Sequence, residues 1–303
     1  VSGADFLDGM ARSSRERVEL ARALRPAAAL RAAIARLPPP PPLVLSAAGF
    51  DLIAEMKLRS PALGPLRAAA TEDAGARVRE YAQAGAAAVS VLTEPSRFDG
   101  SLEHLEQAVA ALAQARVPAM RKDFLVDPYQ VLEARAAGAS GVLVILRMLP
   151  RAELAALVDE ALAQRLFVLL EAFDAADIER ANELLAAHPA AGDALLVGLN
   201  CRDLVTLQVV PGRLESLVGQ LPAQSPRVAE SGLGSPADAA RLAAAGYDLA
   251  LVGGALMTGG DPRGLAAAML AAAREAIGHR PRRDRRGGAV PAPGLAGSAE
   301  GCG

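Results

Sequence analysis

Of the 32 basic residues in this 303-residue chain, 30 are arginines by count, and the lysines are Lys57 and Lys122 alone. Arginine holds its proton under all ordinary conditions, whereas a buried lysine can release it and so serve in acid–base or Schiff-base work. On most solvated surfaces arginine does what lysine does, so a composition this rich in Ala and Arg keeps lysine mainly where arginine will not serve. Both lysines are therefore candidates for chemistry. Asparagine is as rare, with Asn182 and Asn200 only. Glu55, Glu171, Glu230, Asn200 and both lysines lie within three residues of the end of a short apolar run. Charges there are costly unless they are paired or used. An ammonium set among carboxylates can donate and accept protons at a carbonyl substrate, or, if it loses its proton, attack one.

Those runs define the elements that must carry the candidates. There are eight: residues 52–54, 88–92, 117–120, 141–146, 167–170, 195–199, 227–229 and 249–252. Stretches of helical period lie between them, at 72–84, 102–113, 128–137, 151–164, 175–187 and 236–245. Start-to-start spacings of 22 to 36 residues suit the strand–helix unit of a parallel sheet, whose strands are apolar on both faces. Eight units predict an α/β fold, a closed (β/α)8 TIM barrel. In such a barrel the C-terminal strand ends face one pocket, which would collect the candidates. The glycine-bearing turns at 230–234 and 252–255 then fall after strands seven and eight, where barrels often bind phosphate. Ser60, after strand one, can add a hydroxyl. No dinucleotide or P-loop glycine pattern follows the first strand.

Residues 1–45 read as an N-terminal helical extension, helical in spacing over 13–35 with a break at Pro26, followed by a stiff connector at 38–42. The barrel spans 46–279. From 280 to 303 an Arg-rich, then Gly/Pro/Ala-rich tail has little to bury and is expected to be disordered. A formal charge of −2 gives no footprint for nucleic acid. The apolar runs stop well short of the roughly 20 residues of a membrane span, and the first residues mix acids with arginines and lack an apolar signal core. A cytoplasmic chain is expected. Cys201 and Cys302 make no disulfide framework or zinc site, and His104, His188 and His279 are scattered.

Taken in order, the segments at 52–57, 60–61, 90–94, 98–101, 121–124, 127–130, 133–139, 169–171, 198–204, 229–232 and 252–257 resemble the indole-3-glycerol phosphate synthase family over about residues 7–276. The resemblance implies decarboxylative ring closure and dehydration of 1-(2-carboxyphenylamino)-1-deoxyribulose 5-phosphate, without metal or organic cofactor. It assigns the main acid to Lys122, a second acid near the carboxylate and phosphate to Lys57, and the base to Glu171. Glu55 and Glu230 would position and tune these groups. Asn200 would bind the sugar portion, Arg202 the anthranilate carboxylate, and Ser231 the substrate. Phe98 and Phe124 would wall the ring, while Ser60, Gly232, Gly253 and Gly254 would hold phosphate. The partner implied is a small sugar phosphate, with room for contact with other tryptophan-pathway enzymes. The chain departs from the family pattern at Leu58, Ala62, Leu63, Cys201 and Gly254, the first three in the lid loop. A Schiff-base aldolase acting on a sugar phosphate and a non-catalytic sugar-phosphate-binding barrel remain as alternatives.

Overall fold

The computed structural model of the chain describes residues 3–62, 64–67, 72–203 and 206–278. Leu63, His279, Cys302 and the tail from residue 280 lie outside the described residues. Eight parallel strands close into a barrel: β1 (Asp51–Met56), β2 (Ala88–Leu92), β3 (Ala119–Lys122), β4 (Gly141–Ile145), β5 (Phe167–Ala172), β6 (Leu195–Asn200), β7 (Arg227–Glu230) and β8 (Leu249–Val252). Each strand pairs with its neighbour in sequence, and β1 closes against β8 with Asp51 opposite Leu249. All eight apolar runs became strands. The polar candidates, however, lie within the strand ends or directly after them: Glu55 and Glu171 are interior strand residues, while Lys122, Asn200 and Glu230 each end a strand. This deeper placement brings them closer to one another.

Two helices precede the barrel, α1 (Gly3–Leu24) and α2 (Ala27–Ile34), separated by Pro26. α1 starts ten residues before the expected helical stretch. Its buried residues Leu7, Ala11, Ser14 and Val18 recur every three or four positions, with Met10 beside Ala11, so one face packs down. Leu7 and Met10 join the cluster that fills the barrel interior. The outer helices are α3 (Ala74–Gln83), α4 (Leu102–Leu112), α5 (Pro128–Ala136), α6 (Arg151–Ala163), α7 (Ala175–Ala187), α8 (Arg213–Leu217), α9 (Pro236–Ala245) and α10 (Pro262–Ile277). Side-chain oxygens of Asp73, Ser101, Asp127, Asp174, Ser235 and Asp261 accept from the first-turn N–H groups of α3, α4, α5, α7, α9 and α10. Pro at the first turn of α5, α9 and α10 needs no N–H there. The caps explain why α3, α4, α5, α7 and α9 start within about two residues of the helical stretches expected from the sequence.

Alternation along each strand divides two apolar clusters. Leu52, Ala54 and Met56 face the helices, whereas Ile53 joins Met120, Leu143, Leu169, Leu196, Val228 and Leu249 in the barrel interior. Along the same inward rows, period two then puts Glu55, Lys122, Glu171, Asn200 and Glu230 at the C-terminal mouth. Among the described residues no helix is long and apolar enough to cross a membrane.

Candidate active site

Lys122 stands at the centre of the mouth. Its Nζ lies 3.5 Å from Glu171 Oε1, 3.7 Å from Glu230 Oε2 and 3.9 Å from Glu55 Oε2. These carboxylates come from β5, β7 and β1, and all three are buried. Lys57, just past β1, pairs with the other oxygen of Glu55. Asn200 donates its side-chain N–H to Glu171 Oε1 at 2.8 Å, and its carbonyl oxygen accepts from the Arg202 N–H at 2.9 Å. Five strands thus supply one contiguous network of two ammonium groups, three carboxylates and an amide.

The charges in this network set one another's protonation. Burial by itself weakens the hold of Lys122 on its proton, but Glu171, Glu230 and Glu55 outweigh it and raise its affinity. Burial likewise disfavours ionised Glu55, yet Lys57 and Lys122 beside it hold its carboxyl below the ordinary value. Glu230 goes the other way. Burial and the nearby Glu171 raise its pKa well above that of a free carboxylate, and Lys122 only partly offsets them. Among the described residues neither Glu230 oxygen has a hydrogen-bond partner. Two of the carboxylates next to one ammonium thus have their proton affinities pushed in opposite directions, the kind of pairing by which a site keeps an acid and a base side by side.

A cavity of about 410 Å³ opens above this network, enough for a small ligand. One wall is apolar. Phe124 meets Phe98 at a ring separation of 6.2 Å and Phe6 at 5.9 Å, with Leu143, Ile145 and Phe173 around them. Phe6 and Leu7 come from α1, and nothing local in the sequence marks them as lining residues. Ser60, Arg202, Ser231, Gly232, Gly253 and Gly254 line the cavity too. Arg202 Nη1 donates to the carbonyl of Leu207 at 2.6 Å, which holds its guanidinium at the rim. Ser231 and Gly232 are consecutive left-handed residues, φ 70° and 73°, so the chain turns sharply just past Glu230. A Cβ on Gly232 would also meet Cys201 Sγ at 3.1 Å. Not every amide of this turn faces the cavity, since Gly234 N–H is taken by Asp238 at 3.1 Å. All the predicted site residues line this one cavity. The lid-loop departures differ, for Leu58 is buried in the outer core whereas Ala62 borders the cavity.

Behind Lys122 lies a second polar cluster that the sequence did not reveal. Asp123 accepts from Arg17 of α1 through two bonds of 3.1 and 2.8 Å, from Thr93 at 2.7 Å and from Arg121 at 3.0 Å. Burial alone would raise the Asp123 pKa, but Arg121, Arg17 and Thr93 drive it far below the carboxylate range. Ser14 Oγ donates to the Phe124 carbonyl at 2.6 Å and accepts from Gln130 at 2.9 Å. α1 is thereby tied to the segment that carries Lys122 and Phe124.

The model of one family, described as indole-3-glycerol phosphate synthase, matches residues 7–269. The chain belongs to the indole-3-glycerol phosphate synthase family. An indole-3-glycerol phosphate synthase of Parafrankia sp. (strain EAN1pec) is 42% identical over 247 residues, covering 81% of this chain and 87% of that protein. The indole-3-glycerol phosphate synthase of Mycobacterium tuberculosis (strain CDC 1551 / Oshkosh) is 36% identical over 274 residues, 90% of this chain and 96% of its own length. Among solved structures, thiamine phosphate pyrophosphorylase from Pyrococcus furiosus shares the barrel with a TM-score of 0.54 at 17% identity, over 77% of this chain and 98% of that one. That last likeness shows the fold alone. The indole-3-glycerol phosphate synthase match includes α1 from Leu7 onward, so the helix that walls the cavity falls within the family's common part.

Proposed function

We propose that this chain carries out the reaction of its family on 1-(2-carboxyphenylamino)-1-deoxyribulose 5-phosphate, with Lys122 as general acid. The observation that carries this reading is Lys122 Nζ within 4 Å of three buried carboxylates at the floor of a cavity with an aromatic wall. The wall formed by Phe98, Phe124 and Phe6 suits the aryl ring, and Arg202 at the rim offers a planar fork to its carboxylate. Ser60 and the turns at Gly232, Gly253 and Gly254 take the phosphate. The ring carbon bearing the carboxylate attacks the C2′ carbonyl while Lys122 gives its proton to the carbonyl oxygen. Loss of carbon dioxide returns the electron pair to the ring. In the dehydration the C2′ hydroxyl departs as water with a proton from Lys57, and Glu171, oriented by Asn200, takes the proton whose loss completes the indole. Glu55 links the two lysines and so lets one ammonium sense the other.

A Schiff-base aldolase needs Lys122 as a free amine. Three carboxylates that raise its proton affinity oppose that state. Incubating the purified protein with the anthranilate-derived substrate and following indole absorbance decides between the readings. Indole product with matching carbon dioxide release is expected. A borohydride-trapped adduct on Lys122 without indole product would point to the aldolase instead, and binding with neither would point to a non-catalytic barrel.

A further inference from the structure

We propose that Gly198 is a positioning residue for this reaction, because its missing side chain is the space that holds the Glu230 carboxyl at its depth beside Lys122. This inference rests on the functional reading above for its kinetic meaning, though not for its geometry. Gly198 lies in the middle of β6, opposite Glu171 on one side and Val228 on the other. Glycine weakens a strand interior, and no left-handed φ requires it here, since Gly198 is absent from the positive-φ glycines. Its place between Leu196 and Asn200 is on the inward row of β6, where Leu196 fills the barrel interior. A Cβ built at Gly198 would fall 2.0 Å from Glu230 Oε1, 3.0 Å from Glu230 Cδ and 3.0 Å from Leu169 Cδ1. The carboxyl occupies the place of the absent side chain.

Glu230 is 1% exposed, and among the described residues neither of its oxygens makes a hydrogen bond; its ion pair with Lys122, at 3.7 Å, is made by Oε2. Shape keeps Oε1 at its depth. The groups that face it are Glu171, Lys122 and Glu55. A methyl at Gly198 forces the carboxyl up toward these groups and toward the cavity. The same device recurs across the barrel. A Cβ at Gly253 would fall 2.2 Å from Glu55 Oε1, and Gly253 too has no left-handed φ. Two of the three carboxylates around Lys122 thus sit in glycine-shaped recesses, and Gly253 serves Glu55 whatever it contributes to phosphate.

The test is a double-mutant cycle of Gly198→Ala and Glu230→Asp, whose side chain is one methylene shorter. Gly198→Ala alone is expected to lower kcat on the order of 10²-fold, the scale of an ångström-sized misplacement, with little change in KM. Its pH profile should shift in the limb set by Glu230, because the displaced carboxyl is better solvated. In the double variant the losses should not multiply, and kcat should be no worse than in the poorer single variant. Gly219→Ala, where an added Cβ meets nothing within 4 Å, serves as a control with unchanged kinetics. Multiplicative losses, or a Gly198→Ala enzyme with wild-type kcat and pH profile, overturn the proposal. Where Gly198→Ala fails to fold, adding Glu230→Ala should restore folding; failure to do so makes Leu169 the obstacle and overturns it equally. A wild-type protein without turnover defeats the functional reading, and the melting temperatures of the same cycle then still decide whether Gly198 and Glu230 share the space.

Discussion

Lys122 is where charge and position coincide most tightly, so its substitution is the sharpest test at the scale of a residue. Lys122→Arg keeps the positive charge that Glu171, Glu230 and Glu55 compensate. Arginine does not readily release a proton, and its fork cannot occupy the same point. The variant should fold, yet kcat should fall on the order of 10²-fold or more, the scale of one general acid. Steady-state and single-turnover indole assays check this, and near-wild-type turnover would remove Lys122 from the acid role. Glu230 supplies the second test, in stability. Its folded pKa is raised by burial and by Glu171, so the native state binds a proton that the unfolded chain has released. That contribution is fully present below the unfolded value of about 4.3 and is lost as pH rises through the folded value. Glu230→Gln has no proton to lose. Its melting temperature relative to wild type should therefore increase as pH is raised above about 5, while turnover declines. A gap constant over that range would show that Glu230 titrates as an ordinary carboxylate.

At the scale of an element, α1 is held in part by polar contacts that end beside Lys122. Arg17 crosses from α1 to the buried carboxylate of Asp123, and Ser14 reaches the Phe124 carbonyl. Arg17→Ala leaves Asp123 with Arg121, Thr93 and the Phe124 N–H, so the cost should be about 1–3 kcal/mol, that of one charged hydrogen-bond pair lost from a partly buried site. Because Phe6 of α1 packs on Phe124, the loosened helix should also raise KM for the aryl substrate more than it lowers kcat. Thermal melts and Michaelis curves on the variant measure both effects. An unchanged KM would mean that α1 holds its place without Arg17, through Ser14 and its buried residues Leu7, Met10 and Val18. The helix was legible in the sequence only from residue 13 onward. Its first turns carry Phe6 and Leu7, which have no barrel partner nearby in sequence and acquire their meaning only against Phe124 and the barrel-interior cluster.

At the scale of the whole molecule, the barrel separates a face that works from a face that holds. The C-terminal strand ends carry Lys122 and the three carboxylates around it. At the opposite end Arg274 of α10 donates to the Phe50 carbonyl at 3.0 Å and to Asp51 at 3.1 Å, fastening the last helix to the start of the first strand where β1 meets β8. Arg274→Ala should destabilise the protein by about 1–3 kcal/mol and leave kcat unchanged. Denaturant unfolding alongside the indole assay checks the separation, and a matching loss of turnover would show that the two faces are coupled.

Much of this was already determined by the amino-acid order. Eight apolar runs at regular spacing, with Asp or Ser caps before most of the helices, are local signals, and strand pairing between neighbours follows from them. The lysines, the three carboxylates and Asn200 stood out because polar groups at the ends of buried strands need a reason to be there. Tertiary structure alone decided the rest. Barrel closure sets β1 beside β8 and turns the inward rows of five strands toward one point, so that Lys122 meets Glu55, Glu171 and Glu230 together. It also turned Gly198, an unremarked strand glycine, into the recess for Glu230, and Arg17 into a partner of Asp123 106 positions away. Such contacts depend on distances between segments far apart in the chain, and no local pattern of residues encodes them.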